Sequence, residues 1–164
     1  MGYNIAMKKE LIHIIETLKR REQSISFAES CTGGRIAAAF TAIPGVSAVL
    51  NGSCVTYSNE IKHLWLKVKQ ETLQRHGAVS QPCVEEMLRG IQYKASSDYA
   101  IAVSGIAGPD GGSIEKPVGT VYIGIRTPAR MLVQRYRFEG DREAVQQAAT
   151  EAAIGLLEKN LEKS

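Results

Sequence analysis

The chain has 164 residues, of which 44% are hydrophobic and 23% are charged, proportions typical of a globular protein. No apolar run is long enough to span a membrane, and the N-terminal residues match neither a signal peptide nor a myristoylation signal. The three cysteines are widely spaced and form no CxxC pair, which argues against a disulfide framework and a zinc site and favours a cytoplasmic setting. The formal net charge of +3 suits an anionic small substrate at least as well as nucleic acid.

Helical and strand-like patterns alternate along the chain, and none is interrupted by a linker or a repeat. Apolar residues at helical spacing predict helices, alternation predicts strands, and proline, glycine and capping residues set the boundaries. Ser80 and Asp141 are predicted helix N-caps, and Asn59 is an acceptable one. The predicted helices are 7–21, 31–43, one from residue 59, 69–76, 80–97 and 141–160, and the predicted strands are 24–30, 52–58, 98–108, 120–127 and 130–139.

These elements, roughly five helices and five strands, are interleaved at first and end in an antiparallel pair. This order predicts an α/β fold, a three-layer α/β/α sandwich with a mixed β-sheet. We expect a single domain over residues 1–164, because no change in composition marks a boundary.

Two glycine-rich stretches, SCTGG (residues 30–34) and SGIAGPDGG (residues 104–112), each follow a predicted strand. Loops at this position commonly bind ligands, and the first also opens a predicted helix, whose free N–H groups favour an anion. Neither stretch matches a Walker or dinucleotide-binding pattern. The alternative is that the glycines serve tight turns.

The cysteines and serines are the candidate nucleophiles of the chain. Cys31 lies near a predicted helix N-terminus, where a thiol pKa can fall, but no histidine is an obvious partner. Ser47 follows a Pro-Gly break, Tyr57 ends the next predicted strand, and Lys62 lies about one helical turn further on. Lysine could stabilise a phenolate that takes the serine proton. On spacing alone, a surface serine, a packed tyrosine and a solvated lysine remain the alternative.

Several motifs occur together in a recognisable order: AESCTGG, IPGVS, GSCVTYSNEIK, GAVS, SGIAGPDGG, KPVGTVYIGI and FEGDRE. In this respect the chain resembles the CinA C-terminal domain family from about residue 7 to residue 160. That family includes bacterial nicotinamide mononucleotide (NMN) deamidases, which release ammonia and leave nicotinic acid mononucleotide. Longer CinA proteins carry a further N-terminal domain, so the chain looks like the stand-alone form.

The resemblance implies a serine acyl-enzyme amidase in pyridine nucleotide recycling that needs no metal or cofactor. It implies Ser47 as nucleophile, with Tyr57 and Lys62 as the proton-accepting couple. A homo-oligomer is also expected from the family. Candidate ligands for the substrate's phosphate and ribose are Thr32, Gly33, Gly34, Ser104, Gly105, Gly108, Gly111 and Arg142.

For two residues, Glu29 and Arg142, the sequence is compatible with either a substrate-binding role or a structural role. Glu29 either orients the nicotinamide amide or ribose, or caps a neighbouring helix. Arg142 either binds phosphate or is a surface charge.

Two other functions also remain open. A non-catalytic nucleotide-binding or regulatory protein linked to competence or DNA damage is one, although an intact Ser47, Tyr57 and Lys62 set argues against it. The other is direct nucleic-acid binding. The low aromatic content, the modest charge and the lack of a helix-turn-helix pattern count against it.

Overall fold

The computed structural model describes residues 4–161, which form six α-helices, one short 3-10 helix and five strands. The helices are α1 (Ile5–Arg21), α2 (Arg35–Thr41), α3 (Asn59–Leu66), α4 (Gln70–His76), α5 (Gln81–Ala95) and α6 (Arg142–Asn160). The strands are β1 (Ile25–Glu29), β2 (Leu50–Val55), β3 (Tyr99–Gly105), β4 (Thr120–Arg126) and β5 (Met131–Arg137), and the 3-10 helix is Val46–Ala48.

The five strands form one mixed sheet in the order β2-β1-β3-β4-β5. β1 pairs in parallel with both β2 and β3, whereas β4 pairs antiparallel with β3 and β5. The central strands β1 and β3 are buried almost throughout, as expected for strands covered on both faces. The carboxyl ends of β1, β2 and β3 therefore meet at one edge of the sheet.

Helices cover both faces of the sheet and enclose two hydrophobic clusters. α1, α2 and α6 pack on one face, where Leu11, Phe27 and Ile154 are fully buried. α3, α4 and α5 pack on the other face, where the core includes Met87 and Leu88. The predicted three-layer α/β/α sandwich with a mixed sheet is confirmed, and each of the six predicted helical segments contains an α-helix.

Helix caps account for most of the observed boundaries. The side chains of Ser80 and Asp141 accept hydrogen bonds from the backbone N–H groups of the first turns of α5 and α6, which confirms both predicted caps. The cap of α3 is Ser58, whose hydroxyl accepts from the N–H of Ile61 at 3.1 Å, and Asn59 is already helical. β2 accordingly ends at Val55, earlier than predicted.

The helix predicted from residue 31 begins only at Arg35. Residues 31–34 form a turn in which Gly33 and Gly34 have positive φ angles of 58° and 102°. Residues with side chains rarely adopt this conformation, so the turn uses its glycines for backbone geometry. The turn leaves Ser30, Cys31 and Thr32 at the carboxyl end of β1.

Candidate active site

Polar groups from three parallel strands gather at the carboxyl edge of the sheet. Ser30 follows β1, Thr56 and Tyr57 follow β2, and the loop of residues 106–119 follows β3. The backbone continues to pair beyond the strands, since the N–H of Thr56 donates to the carbonyl of Glu29 at 2.9 Å. This edge is where ligands bind in open α/β sheets.

Lys62 projects from α3 into the centre of this edge and is only 1% exposed. Its Nζ lies 3.0 Å from the Ser30 hydroxyl oxygen, 2.8 Å from the Thr56 carbonyl oxygen and 3.0 Å from the Tyr57 carbonyl oxygen. All three partners are neutral oxygens, and within residues 4–161 no carboxylate forms an ion pair with Lys62. Lys62 is therefore a buried amine held beside a serine hydroxyl.

Burial lowers the pKa of Lys62 below its usual value because the ammonium loses its hydration. The neighbouring thiols do not supply a counter-charge. Burial raises the pKa of Cys31 to about 12 and that of Cys83 to about 11, so both remain protonated at neutral pH. The high pKa also leaves Cys31 unsuited to act as a nucleophile.

The arrangement also suits the neutral form of Lys62. A neutral amine has two N–H donors and one lone pair, and the carbonyls of Thr56 and Tyr57 can only accept. The two N–H groups can bond these carbonyls, which leaves the lone pair for the hydroxyl proton of Ser30. The geometry thus fits proton transfer from Ser30 to Lys62.

Tyr57 and Arg142 form a second cluster on the open side of the same edge. The Arg142 guanidinium donates to the Tyr57 hydroxyl at 2.8 Å and to the Gly108 carbonyl at 2.6 Å. Lys62 contacts Tyr57 through its carbonyl and not through its phenol, so the sequence-predicted couple of Lys62 and the Tyr57 hydroxyl is not formed. Both Tyr57 and Arg142 are exposed, and the guanidinium retains further N–H donors for an anion.

Ser47 lies apart from this group. It occupies the 3-10 helix that precedes Leu50, the first residue of β2, whereas Tyr57 and Lys62 follow the last residue of β2. A six-residue strand is roughly 17–20 Å long, so Ser47 lies towards the opposite edge of the sheet. The returning strand therefore does not bring Ser47 beside Tyr57 and Lys62, and the role of Ser47 as nucleophile stays a prediction. Ser47 is exposed there.

The Glu29 side chain accepts hydrogen bonds at the N-terminus of α2, whose N-cap residue is Gly34. Its fully buried carboxylate accepts from the backbone N–H groups of Gly34, Ile36 and Ala37 at 2.9–3.1 Å, and from the Thr32 hydroxyl at 2.6 Å. The anion predicted at this helix N-terminus is thus the protein's own carboxylate. The Thr32 side chain supports Glu29 and, being buried, is not available to a substrate.

The remaining nominated residues lie in the SCTGG turn or along β3 and its loop, and several have packing roles. A Cβ on Gly105 would lie 2.6 Å from the Val121 side chain. Gly108 has a φ of 88°, and a Cβ there would lie 2.5 Å from Val118. Ser104 is 1% exposed at the end of β3, and Gly33 and Gly111 are exposed in their turns.

Ser30 is the one residue of the Lys62 cluster with a side-chain role that the sequence did not predict. Its position directly after an apolar strand and before a glycine-rich turn was visible, but its partner Lys62 lies 32 residues away in the chain. The carboxyl edge of a parallel sheet brings such distant segments together, and spacing along the chain does not reveal the contact. Among residues 4–161 no cluster of three or more histidine, cysteine or acidic side chains could hold a metal ion. No helix in the same range is long and apolar enough to cross a bilayer.

A comparison with known families decides the relationship, since the CinA C-terminal domain model matches residues 8–161. The chain belongs to the CinA C-terminal domain family. It is 49% identical to the nicotinamide-nucleotide amidohydrolase PncC of Escherichia coli over 87% of each chain. It is also 46% identical to a CinA-like protein of Thermosipho melanesiensis, over 95% of this chain and 39% of that protein.

Solved structures give the same relationship. A CinA superfamily protein from Klebsiella pneumoniae superposes on the present chain with a TM-score of 0.91 at 40% sequence identity. The superposition covers 96% of the present chain and 99% of the Klebsiella chain. A competence/damage inducible protein from Agrobacterium tumefaciens superposes with a TM-score of 0.94 at 36% identity, covering 99% of each chain. The chain spans about two fifths of the length of the CinA-like proteins of Thermosipho melanesiensis and Fervidobacterium nodosum that it matches.

Proposed function

We propose that this chain is a nicotinamide-nucleotide amidase that hydrolyses the carboxamide of NMN to nicotinic acid mononucleotide and ammonia. The observation that carries the proposal is the 3.0 Å contact between the buried Lys62 amine and the Ser30 hydroxyl at the ligand-binding edge of the sheet. The similarity to the Escherichia coli amidohydrolase, at 49% identity, supports the choice of substrate.

In the proposed first step, the neutral Lys62 amine takes the Ser30 proton as the Ser30 oxygen attacks the carboxamide carbon. The carbonyl oxygen becomes an oxyanion. The backbone N–H group of Cys31, next to Ser30, makes no backbone–backbone hydrogen bond within residues 4–161 and is a candidate donor to it.

When the tetrahedral species collapses, the carbon–nitrogen bond breaks and ammonia leaves with the proton held by Lys62. Water then attacks the Ser30 ester and gives a proton to Lys62, and the ester oxygen of Ser30 recovers that proton as the nicotinate product leaves. Each proton taken by Lys62 is thus returned, and the mechanism needs only groups that already lie within hydrogen-bond distance.

Arg142 is the proposed anchor for the phosphate of NMN. Its guanidinium is exposed and is held in place by Gly108 and Tyr57, so its remaining donors are oriented at low entropic cost. Tyr57 thereby has a positioning role in place of the phenolate role inferred from the sequence. Gly33, Gly111 and Ser104 remain candidates for the ribose side of the pocket.

The test compares Ser30→Ala with Ser47→Ala, which makes the same chemical change at the other proposed nucleophile. With NMN as substrate, ammonia and nicotinic acid mononucleotide are measured for both variants. We expect Ser30→Ala to lose at least 100-fold in kcat/KM and Ser47→Ala to retain the wild-type rate. The converse result would restore Ser47 as nucleophile, and no product from the wild-type protein would refute the amidase itself.

A further inference from the structure

A groove on the outer surface of α3 and α5, here called the α3–α5 groove, has no part in the proposed amidase. It has a volume of about 980 Å³ and shares no lining residue with the candidate active site. Its floor forms where α3 packs closely on α5, since a Cβ on Gly90 would lie 2.2 Å from the Leu66 carbonyl oxygen. The groove is therefore a concave feature built by the packing of two helices.

The lining of this groove is strongly cationic. Lys67, Lys69, Arg89 and Lys94 are all exposed, and within residues 4–161 none forms an ion pair with a carboxylate. The only acidic residue of the lining, Glu86, accepts from the backbone N–H of Lys69 and from the Thr72 hydroxyl. The lining carries a formal net charge of +3, as large as that of the whole 164-residue chain.

Two aromatic rings lie among these cations. Trp65, the only tryptophan of the chain, is 48% exposed, and Tyr93 is 81% exposed. The Lys67 ammonium lies 5.8 Å from the centre of the Tyr93 ring. Exposed aromatic rings beside cations that form no ion pair are the two elements of a single-strand binding surface.

We propose that the α3–α5 groove binds single-stranded nucleic acid. The cations would contact backbone phosphates, and Trp65 and Tyr93 would stack on bases. A double helix keeps its bases stacked on one another and would not cover the rings. The sequence argued against nucleic acid through its low aromatic content, its modest charge and its lack of a helix-turn-helix pattern. The fold nevertheless gathers these six residues, which are spread over 30 positions, into one groove.

The test uses a fluorescein-labelled oligothymidylate of ten nucleotides and measures its anisotropy as unlabelled protein is added at 50–200 mM salt. We expect saturable binding whose log K falls with log salt at a slope of about −2 to −3, the slope for three or four phosphate contacts to a single strand. Quenching of the single tryptophan reports contact at Trp65 in the same titration.

Two double variants with equal charge change provide the comparison. Arg89→Glu with Lys94→Glu should weaken binding at least tenfold and make the salt slope shallower by about 1.4. Lys8→Glu with Lys9→Glu, on the exposed side of α1, should leave binding unchanged. Trp65→Ala should weaken binding about fivefold or more through lost stacking. Circular dichroism and thermal melts of every variant separate lost binding from lost fold.

Four outcomes would overturn the proposal: no saturable binding at 50 mM salt, equal loss in both double variants, equal affinity for thymidine triphosphate alone, or equal affinity for a duplex of the same length. Analytical sedimentation would assign the groove to a second copy of the chain under two conditions. The protein would form a dimer that does not bind the oligonucleotide, and the double variant Arg89→Glu with Lys94→Glu would dissociate that dimer. Because no amide substrate is present, these results do not depend on the proposed amidase.

Discussion

Replacement of Lys62 by methionine tests the proposed base directly. Methionine fills nearly the same volume but cannot accept a proton, and loss of a general base typically costs 10²–10⁴ in rate. We expect kcat/KM for NMN to fall about 10³-fold, equivalent to about 4 kcal/mol of transition-state stabilisation. Lys62→Arg should not restore the rate, because arginine keeps the charge but cannot be deprotonated in a protein.

The fold should tolerate Lys62→Met much better than the reaction does. The Thr56 carbonyl lies in a fully buried residue and loses its 2.8 Å donor, a cost of about 1–3 kcal/mol. Removal of a buried ammonium that has no carboxylate partner offsets part of this cost. We therefore expect unfolding free energies of variant and wild type to agree within about 2 kcal/mol near neutral pH, as measured by urea denaturation.

The pH dependence separates the base from a structural lysine. The pKa of Lys62 is lower in the folded protein than in the unfolded chain, so between the two pKa values the unfolded state binds more protons. The unfolding free energy of the wild type relative to Lys62→Met should therefore rise with pH through that window, by about 1.4 kcal/mol per pH unit. The window ends near pH 10.5, the ordinary pKa of lysine. The wild-type kcat/KM should rise as the pH approaches the lower end of that window, where Lys62 of the folded protein loses its proton, and should level off within the window.

Lys9→Met, which changes an exposed lysine of α1 in the same way, should alter neither activity nor stability. Lys62 is not the general base if Lys62→Met keeps kcat/KM within tenfold of wild type. Its pKa is not lowered by burial if the stability difference between wild type and Lys62→Met stays flat from pH 7 to pH 10.

Three further changes probe the groups around Lys62. Arg142→Gln should raise KM at least tenfold for NMN but little for nicotinamide riboside, which lacks the phosphate; equal effects on both substrates would remove Arg142 from phosphate binding. Glu29→Gln should lower Tm by about 5–15 °C in calorimetry, because an amide cannot accept all four hydrogen bonds of the carboxylate. Cys83→Asp should give Lys62 a carboxylate neighbour, raise its pKa and move the rise of kcat/KM to higher pH, whereas the neutral Cys83→Ser should not; an unchanged pH profile in Cys83→Asp would contradict this.

Local sequence patterns predicted most of the fold because caps and periodicity act over a few residues. Ser80 and Asp141 cap their helices as expected, and the antiparallel pair closes across residues 127–130. The shift of the α2 start to Arg35 arose because a helical apolar pattern extends into a turn whose glycines prevent helix formation. Such boundaries depend on backbone angles that an apolar pattern does not encode.

The candidate site was predicted only in part, because its contacts join segments far apart in the chain. Lys62 and Tyr57 were identified, and both lie at the carboxyl edge of the sheet. Ser47 was chosen because it is close to them in the sequence, yet β2 runs between them and carries them to opposite edges. Ser30 is distant in the sequence and becomes a neighbour only through the parallel pairing of β1 with β2.

The two buried charged side chains within residues 4–161, Glu29 and Lys62, explain why the site can hold a neutral amine. Had the Glu29 carboxylate paired with Lys62, the ammonium form would be stabilised and the base would be lost. Instead, the Glu29 carboxylate accepts hydrogen bonds from three backbone N–H groups at the N-terminus of α2 and from the Thr32 hydroxyl. The turn after β1 thus separates the two charges and leaves Ser30, the residue next to Glu29, as the partner of Lys62.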